Sequence, residues 1–505
     1  MPYSRELLGC LAEFAETRSE SIALAMGTER VTYAELAAMA MSAYHGIDAL
    51  HLPEGSRVAL HATKSPRTVA LIVACLLARR PFLLPSTELG EAAMETLLER
   101  AGATHVLSAE VDGMITREVH KIDVTSGPFD TGSLRDPELT PGSVSFILTT
   151  SGSTGLPKVV PLTFAAVERF TDWAIEAFGI REGTVVLNYA PLNFDLCLLD
   201  VRATIKAGGT TVLVEPDRAT NGKHLAATLR THSVAVLQSV PMLFRLLLDT
   251  YDGEPFTSVR HVITTGDKVP ARLLPELPRL FPNARFHNIY GSTETNDSFI
   301  HEFTGSLRGG GQIIESLPIG RPLPGVDALV LDRDGTVLHG PATGELLVST
   351  PFQTPGYAVA DGSGTDKFVR LEPDGPVYFR SGDLVRRDAD GLFTLLGRND
   401  SQVKVRGVRV NLEEIEQALL AHERVAGAAV VALPDEVAGL VLHAVVRRDG
   451  AEQPLGVLAL REHCRRHLPR PALPTTIRVV DDALPTTSTG KTDRKAVIRD
   501  LLSGS

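Results

Sequence analysis

The chain has 505 residues, 43% hydrophobic and 22% charged, an ordinary composition for a soluble globular protein that excludes disorder and collagen. Fifty basic against 61 acidic side chains leave a formal charge of −11, without the basic surface that nucleic acid requires, so no nucleic-acid partner is expected. Cys10, Cys75, Cys197 and Cys464 lie far apart and form neither a C-x-x-C zinc pair nor a disulfide framework, which predicts reduced thiols in a cytoplasmic protein.

In chain order, MPYSRELLGCLAEFAE reads as an amphipathic helix carrying acids, not as a signal peptide. The longest apolar run, Thr68 to Ala78, falls short of the ~20 residues of a membrane span and is bracketed by Arg67, Arg79 and Arg80. It reads as a buried helix, and no membrane partner is expected. From Ser56 onward apolar strand runs alternate with helix-like stretches: SRVAL, TVALIVACLLA, FLLP, AAMETLLERAG and THVLS. The rhythm resumes after Val144 through SFILTT, TVVLNYA, TTVLVEP, VAVLQSV, VRHVITTG and ARFHNIY. Such a pattern predicts parallel sheets covered by helices, with ligands beyond the carboxyl ends of the strands. After about 325–340 the texture turns β-rich, with turns at Asp334-Gly335, Asp374-Gly375 and Asp390-Gly391. VKVRGVRV then alternates like a hairpin strand, and Asn411 with Glu414 three residues later is a capping-box variant opening the helix LEEIEQALLAH. The expected fold class is α/β: a large body over 1–399, built of parallel-sheet subdomains plus a β-rich subdomain, and a small mobile α+β domain over 400–505.

The stretch TTSGSTGLPK carries the strongest chemical signal. Thr149, Thr150, Ser151, Ser153 and Thr154 supply hydroxyls, Gly152 and Gly155 supply flexibility, and Lys158 supplies charge, between the strand VSFIL and a helix beginning near Thr163. Backbone N–H groups and hydroxyls of such a loop can wrap phosphate oxygens; an ordinary polar loop has the same composition. It is not the standard nucleotide loop, because Pro157 stands where G-x-x-x-x-G-K-[ST] needs glycine, and TSTGKT at 487–492 fails in the same way at Pro485.

Seven motifs occur in order: VTYAEL at 31–36, TTSGSTGLPK at 149–158, YGSTET at 290–295, GELLV at 344–348, YFRSGDLV at 378–385, GRNDSQVKVRGVRVNLEEIE at 397–416 and LPTTSTGKTDRK at 484–495. With them the chain resembles, over nearly its whole length, the adenylate-forming enzymes: acyl-CoA synthetases, luciferases and the adenylation domains of nonribosomal peptide synthetases. The resemblance implies ATP and Mg²⁺ as cofactors and a reaction joining a carboxylate to the α-phosphate, so the site must neutralise charge and hold the line of attack. It implies that the loop 149–158 holds the β,γ-phosphates, that Glu294 helps bind Mg²⁺ and that Thr293 contacts the α-phosphate. It implies that Tyr290, followed by Gly291, stacks on adenine, with Asp383 on the ribose hydroxyls and Arg398 nearby. Lys491 is the lysine that bridges substrate carboxylate and α-phosphate, Asp400 is the hinge of the small domain, and Lys404 with the Gly407 loop faces the site during thioester formation.

Phe194-Asp195-Leu196-Cys197-Leu198-Leu199-Asp200 resembles the amino-acid branch, in which the aspartate after the phenylalanine binds the substrate ammonium. A carboxylate in a pocket wall suits a cationic amine, although Asp195 ahead of an apolar helical run is also a favoured helix N-cap. The other pocket positions implied are Leu196, Leu199, Gln238, Ile263, Thr265 with Gly266, Ile289, Asp297 and Ser298, together with Lys491. The Asp-Leu-Leu opening and Asn296 are similar to free-standing enzymes that load L-proline on carrier proteins, and FDLCLLD to D-alanine ligases. Gln238, Asp297 and Ser298 are more polar than a proline pocket, which favours a small or medium polar amino acid. No phosphopantetheine attachment site follows Lys495, so the expected acceptor is a separate phosphopantetheinylated carrier protein, with coenzyme A, and hence an acyl-CoA synthetase, as the alternative. A catalytically dead nucleotide-binding module is a minor alternative, which the presence of Lys491, Glu294 and Asp383 disfavours.

Overall fold

The computed structural model describes residues 6–503 except 87–88, 90, 110–118, 126–133, 135–139, 151–157, 309–316, 359–364, 399–401, 436–438, 449–454 and 486–493. The chain divides into two compact units, the first made of Met1–Thr87, Glu99–Leu148 and Val159–Gly397, the second of Glu88–Leu98, Thr149–Lys158 and Arg398–Ser505.

In the first unit the described residues include a nine-stranded sheet. At its centre Val185–Asn188, Val236–Ser239, His261–Thr264 and Arg285–Ser292 run parallel as neighbours. All four therefore end at one edge; Val236–Ser239 passes through Val240 into the helix Pro241–Asp249, and the others lead into loops or turns. Asn296–Glu302 returns antiparallel to Arg285–Ser292, with an irregularity between Tyr290 and Gly291. A second sheet contains the parallel neighbours Ala103–Ser108, Arg57–Leu60, Phe82–Leu83 and Val144–Thr150. The apolar run predicted as a buried helix is the helix Pro66–Leu77, N-capped by Ser65. The β-rich stretch is an antiparallel sheet built on Asp327–Leu331, Ala342–Ser349 and Val377–Arg387. Phe299, Val348, Val385 and Phe393 pack its face into one buried cluster with Tyr290.

One expectation needs correction. TTSGSTGLPK does not run from a strand into a helix: Lys158–Thr163 is itself a strand, and the helix Phe164–Phe178 starts after it with Thr163 as cap. The β-branched, apolar KVVPLT is suited to a buried strand, and Val159, Val160 and Leu162 are buried there.

In the second unit Gln402–Val405 and Val408–Asn411 form the expected hairpin. Its two-residue turn has positive φ at Arg406 (52°) and Gly407 (82°), the conformation that matches the twist of paired strands. The helix Leu412–Leu420 begins where expected, but Asn411 accepts from the Glu413 N–H at 2.9 Å, and no reciprocal box with Glu414 forms. Glu414 is buried instead, and that burial pushes its carboxyl up to about 7. The strands Val425–Asp435, Gly439–Arg448 and Thr476–Val480 make a sheet, covered by Leu412–Leu420 and Val457–His467 through Ile415, Leu419, Leu460 and Cys464.

Candidate active site

The amino-acid candidates of the first unit lie at the shared carboxyl edge of its parallel strands. Beyond Asn188 the chain runs through Phe194, Asp195 and Leu196, all half-buried, into Leu198–Ala203, which is a π-helix continued by the short α-turn Thr204–Lys206. Cys197, not Asp195, holds the cap position. The Asp195 carbonyl accepts from the Leu198 N–H at 2.9 Å and the Leu196 carbonyl from the Asp200 N–H at 3.1 Å. A π-helical stretch is rare and concentrates at functional sites. It is anchored from behind by Arg202, which pairs with Glu168, and by Lys206, 2.5 Å from Glu168 and 2.6 Å from Asp172. Burial pushes the Glu168 carboxyl up, yet the Arg202 and Lys206 charges overcome it and hold the group below its usual range.

The next strand contributes Gln238, in register with both Asn188 and Ile263, so the three side chains share a face. Its amide donates to the Leu196 carbonyl at 3.3 Å, while its Oε1 is buried without a hydrogen-bond partner among the described residues. Thr265 is buried with its N–H on the Ser239 carbonyl at 3.1 Å, and Gly266 turns the chain at φ 79°. Leu199, Ile263 and Ile289 are buried in the main core cluster. Asp297 is half-buried opposite Gly291. The Ser298 hydroxyl is engaged inside the turn, 3.2 Å from Thr295 Oγ1 and 3.1 Å from the Asn296 carbonyl.

The nucleotide candidates of the same unit gather on the turn that ends Arg285–Ser292. A Cβ at Gly291 would come within 2.1 Å of the Asn296 carbonyl, so only glycine fits beneath Thr293 and Glu294. Asn296 closes the turn with φ 56°, which asparagine tolerates. Thr350 Oγ1 donates to the Thr295 carbonyl at 3.0 Å, and the Thr354 N–H to the Glu294 carbonyl at 2.9 Å. The Glu294 side chain is buried and accepts from Tyr357 Oη at 2.7 Å. Tyr290 packs edge-on against Phe299 with centroids 5.7 Å apart, and its hydroxyl donates to the buried Asp383 carboxylate. Asp383 is oriented further by its own N–H, 3.0 Å from Ser381 Oγ, which in turn donates to the Leu346 carbonyl at 2.7 Å.

In the second unit, Thr149 and Thr150 end a strand, Thr150 buried with its hydroxyl unpartnered among the described residues, and Lys158 opens the next strand half-buried. Arg398 donates to Gln402 Oε1 at 3.1 Å, and Lys404 lies half-buried on the hairpin. Ser151, Gly152, Ser153, Thr154, Gly155, Asp400 and Lys491 lie outside the described residues.

Among the described residues no group of three His, Cys, Asp or Glu side chains could hold a metal ion by itself. Mg²⁺ with a nucleotide asks for less, one or two carboxylates plus phosphate oxygens, and the buried Glu294 carboxylate fits that donor set.

Four residues escape the sequence reading. Tyr357, the partner of Glu294, follows an unremarkable Pro-Gly. Lys64, Asn188 and Asp200 form a buried polar group: Lys64 Nζ donates to the Asn188 and Tyr189 carbonyls at 3.2 and 2.9 Å, and Asn188 Nδ2 to Asp200 Oδ2 at 3.2 Å. The available signal was an aspartate inside the apolar run LCLLDV, a residue that must find a partner. Burial drives the Asp200 carboxyl well above its usual range, with Asn188 and Lys64 pulling it down and Asp297 adding to the rise. Burial likewise pushes the Lys64 ammonium down to about 7, against Asp200 and Glu215.

The AMP-binding enzyme family model matches residues 11–358, and that of the AMP-binding enzyme C-terminal domain matches 414–491. The chain belongs to the AMP-binding enzymes. It is similar to an L-proline–[L-prolyl-carrier protein] ligase of Pseudomonas fluorescens, 30% identical over 471 residues, covering 90% of this chain and 91% of that one. It is 28% identical over 513 residues to a D-alanine–D-alanyl carrier protein ligase of Bacillus velezensis, covering 98% and 100% of the two chains. Its fold matches that of the adenylation domain AlmE of Vibrio cholerae, solved with glycyl-adenosine-5'-phosphate, with a TM-score of 0.84 at 22% identity over 99% of this chain and 98% of that one.

Proposed function

We propose that the protein uses ATP to activate an amino acid as aminoacyl-AMP, releasing pyrophosphate, and transfers it to the phosphopantetheine thiol of a separate carrier protein. The observation that carries this reading is the convergence, at one edge of one sheet, of the Asp195 loop with the Thr293–Glu294 turn, the place where parallel α/β sheets bind ligands. Curated relatives that span nine-tenths or more of the chain are amino acid:carrier-protein ligases.

In this reading Asp195 accepts the substrate ammonium and fixes the amino acid by one charge. Gln238, Thr265, Asp297 and Ser298 line the side-chain end with Leu196, Leu199, Ile263 and Ile289. Tyr290 and Asp383 hold the nucleoside: the phenol orients the carboxylate, which accepts from the ribose hydroxyls. Thr293 contacts the α-phosphate, Glu294 is the carboxylate that holds Mg²⁺, and the 149–158 loop holds the terminal phosphates. Mg²⁺ supplies neutralisation of phosphate charge when bound. Lys491 meets the negative charge developing between carboxylate and α-phosphate. For the second half-reaction, Asp400 acts as the hinge that exchanges Lys491 for the Lys404 and Gly407 face. A polar side-chain pocket suits a small or medium polar amino acid. Four free cysteines accord with a cytoplasmic enzyme.

The test is amino-acid-dependent exchange of labelled pyrophosphate into ATP across a panel including proline, alanine, serine, threonine, diaminopropionate and ornithine. Exchange with a polar amino acid, followed by loading of a carrier protein in preference to coenzyme A, is expected. Exchange confined to carboxylic acids without an amine would replace this reading by an acyl-CoA synthetase.

A further inference from the structure

We infer that Lys64, acting with Asp200 through Asn188, positions the loop that carries Phe194, Asp195 and Leu196 and so sets recognition of the amino acid, an inference that rests on Asp195 as the ammonium acceptor. The loop has to hold Asp195 to within a fraction of an ångström, yet its backbone follows no strand or α-helix between Tyr189 and Leu196. Packing leaves space behind it: an apolar cavity of about 50 Å³ is lined by Leu192, Cys197, Leu198 and Val201 on the loop side and by Val69 and Val73 opposite. A void of that kind forfeits dispersion contacts, so polar contacts at the loop's ends must fix it.

Those contacts come from rigid neighbours. Lys64 stands just ahead of the Ser65 cap of Pro66–Leu77, where Thr68 Oγ1 donates back to the Thr63 carbonyl. From there Lys64 Nζ takes both carbonyls, Asn188 and Tyr189, at the point where the strand becomes the loop. At the far end Asp200 lies in the π-helix and is joined to the same Asn188 by the side-chain amide. One residue thus connects entrance and exit, and Lys64, Asn188 and Asp200 are at most 8% exposed. Replacing any of them by an apolar group of different shape leaves buried carbonyls or an amide unpaired.

The experiment measures deuterium uptake in the free protein alongside exchange kinetics. Lys64→Met is expected to speed uptake in 189–197 by about tenfold, leave the helix Pro241–Asp249 unchanged, and raise the amino-acid KM by about tenfold at constant ATP KM. Lys64→Arg, which restores donors to both carbonyls, is expected to recover most of both effects. If Lys64→Met does not fold, Asn188→Ala, which cuts only the link to Asp200, carries the same comparison with rises of about threefold. Unchanged uptake in a folded variant overturns the inference, as does faster uptake without a change in amino-acid KM or an equal rise in both KM values. If no amino acid supports exchange in the native enzyme, the functional reading falls, and the uptake data alone still decide whether Lys64 holds the loop.

Discussion

On the nucleotide side of the first unit the acidic groups are already held: Tyr290 donates to Asp383, and Tyr357 donates to Glu294 at 2.7 Å. On the amino-acid side three buried acceptors, Asn188 Oδ1, Asp200 Oδ1 and Gln238 Oε1, have no hydrogen-bond partner among the described residues. Buried acceptors without partners are costly and uncommon in native folds. A wall of preoriented pairs suits a ligand whose donors always arrive in the same place, as the hydroxyls of a ribose do. The amino-acid side uses its buried polar groups on the backbone of the loop instead, through Lys64 and Gln238.

The sharpest way to break this contrast is Asp195→Ala. A buried ammonium left without its carboxylate should cost about 3–5 kcal/mol, by analogy with broken buried pairs. The loss is expected in amino-acid KM and kcat/KM, measured by pyrophosphate exchange, with ATP KM unmoved; an equal effect on ATP would erase the distinction between the walls.

Lys491→Ala should strike both sides together, because this lysine bridges them in the proposed reaction. A fall of about 10²–10³ in exchange rate is expected from loss of one group that meets developing charge, and full exchange would remove Lys491 from the machinery.

Tyr290→Phe tests the nucleotide side alone. It removes the hydroxyl that orients Asp383 and should raise ATP KM by the equivalent of about 1–2 kcal/mol, with amino-acid KM constant. A rise in amino-acid KM of the same size would show that the two walls are coupled.

The remaining effect is on stability and not on catalysis, a pH dependence seated beside the amino-acid wall. Burial lowers Lys64 from 10.5 to about 7, against Asp200 and Glu215. Between those values the unfolded chain binds a proton that the folded chain does not, so stability rises with pH across that window and is lost as pH falls through 7. Lys64→Met should flatten the slope by about 1 kcal/mol per pH unit between pH 7 and 10, read from denaturant midpoints. An unaltered slope would place the charge strain elsewhere.

What the sequence determined by itself was everything set by local pattern. Continuous apolar runs such as TVVLN and AVLQS, alternating with helix-like stretches, read as buried strands, and the alternation of VKVRGVRV around Arg406-Gly407 reads as a hairpin, because side-chain period and turn chemistry are properties of neighbouring residues. Gly291, Thr293 and Glu294 were singled out by the resemblance of YGSTET to a family motif, not by local pattern. Tertiary structure alone decided the rest. KVVPLT became a strand rather than a loop tail because a sheet edge was there to receive it, and Glu414 went into the core instead of closing a cap. Tyr290 met Asp383 across 93 positions, Tyr357 met Glu294 across 63, and Lys64 met Asn188 across 124. Such pairings depend on which strands lie side by side, and no periodicity in the chain encodes the distance between them. The π-helix at Leu198–Ala203 belongs with them: its residues would suit an ordinary α-helix, and Asn188, Gln238 and Glu168, each from a different element, hold the turns around it.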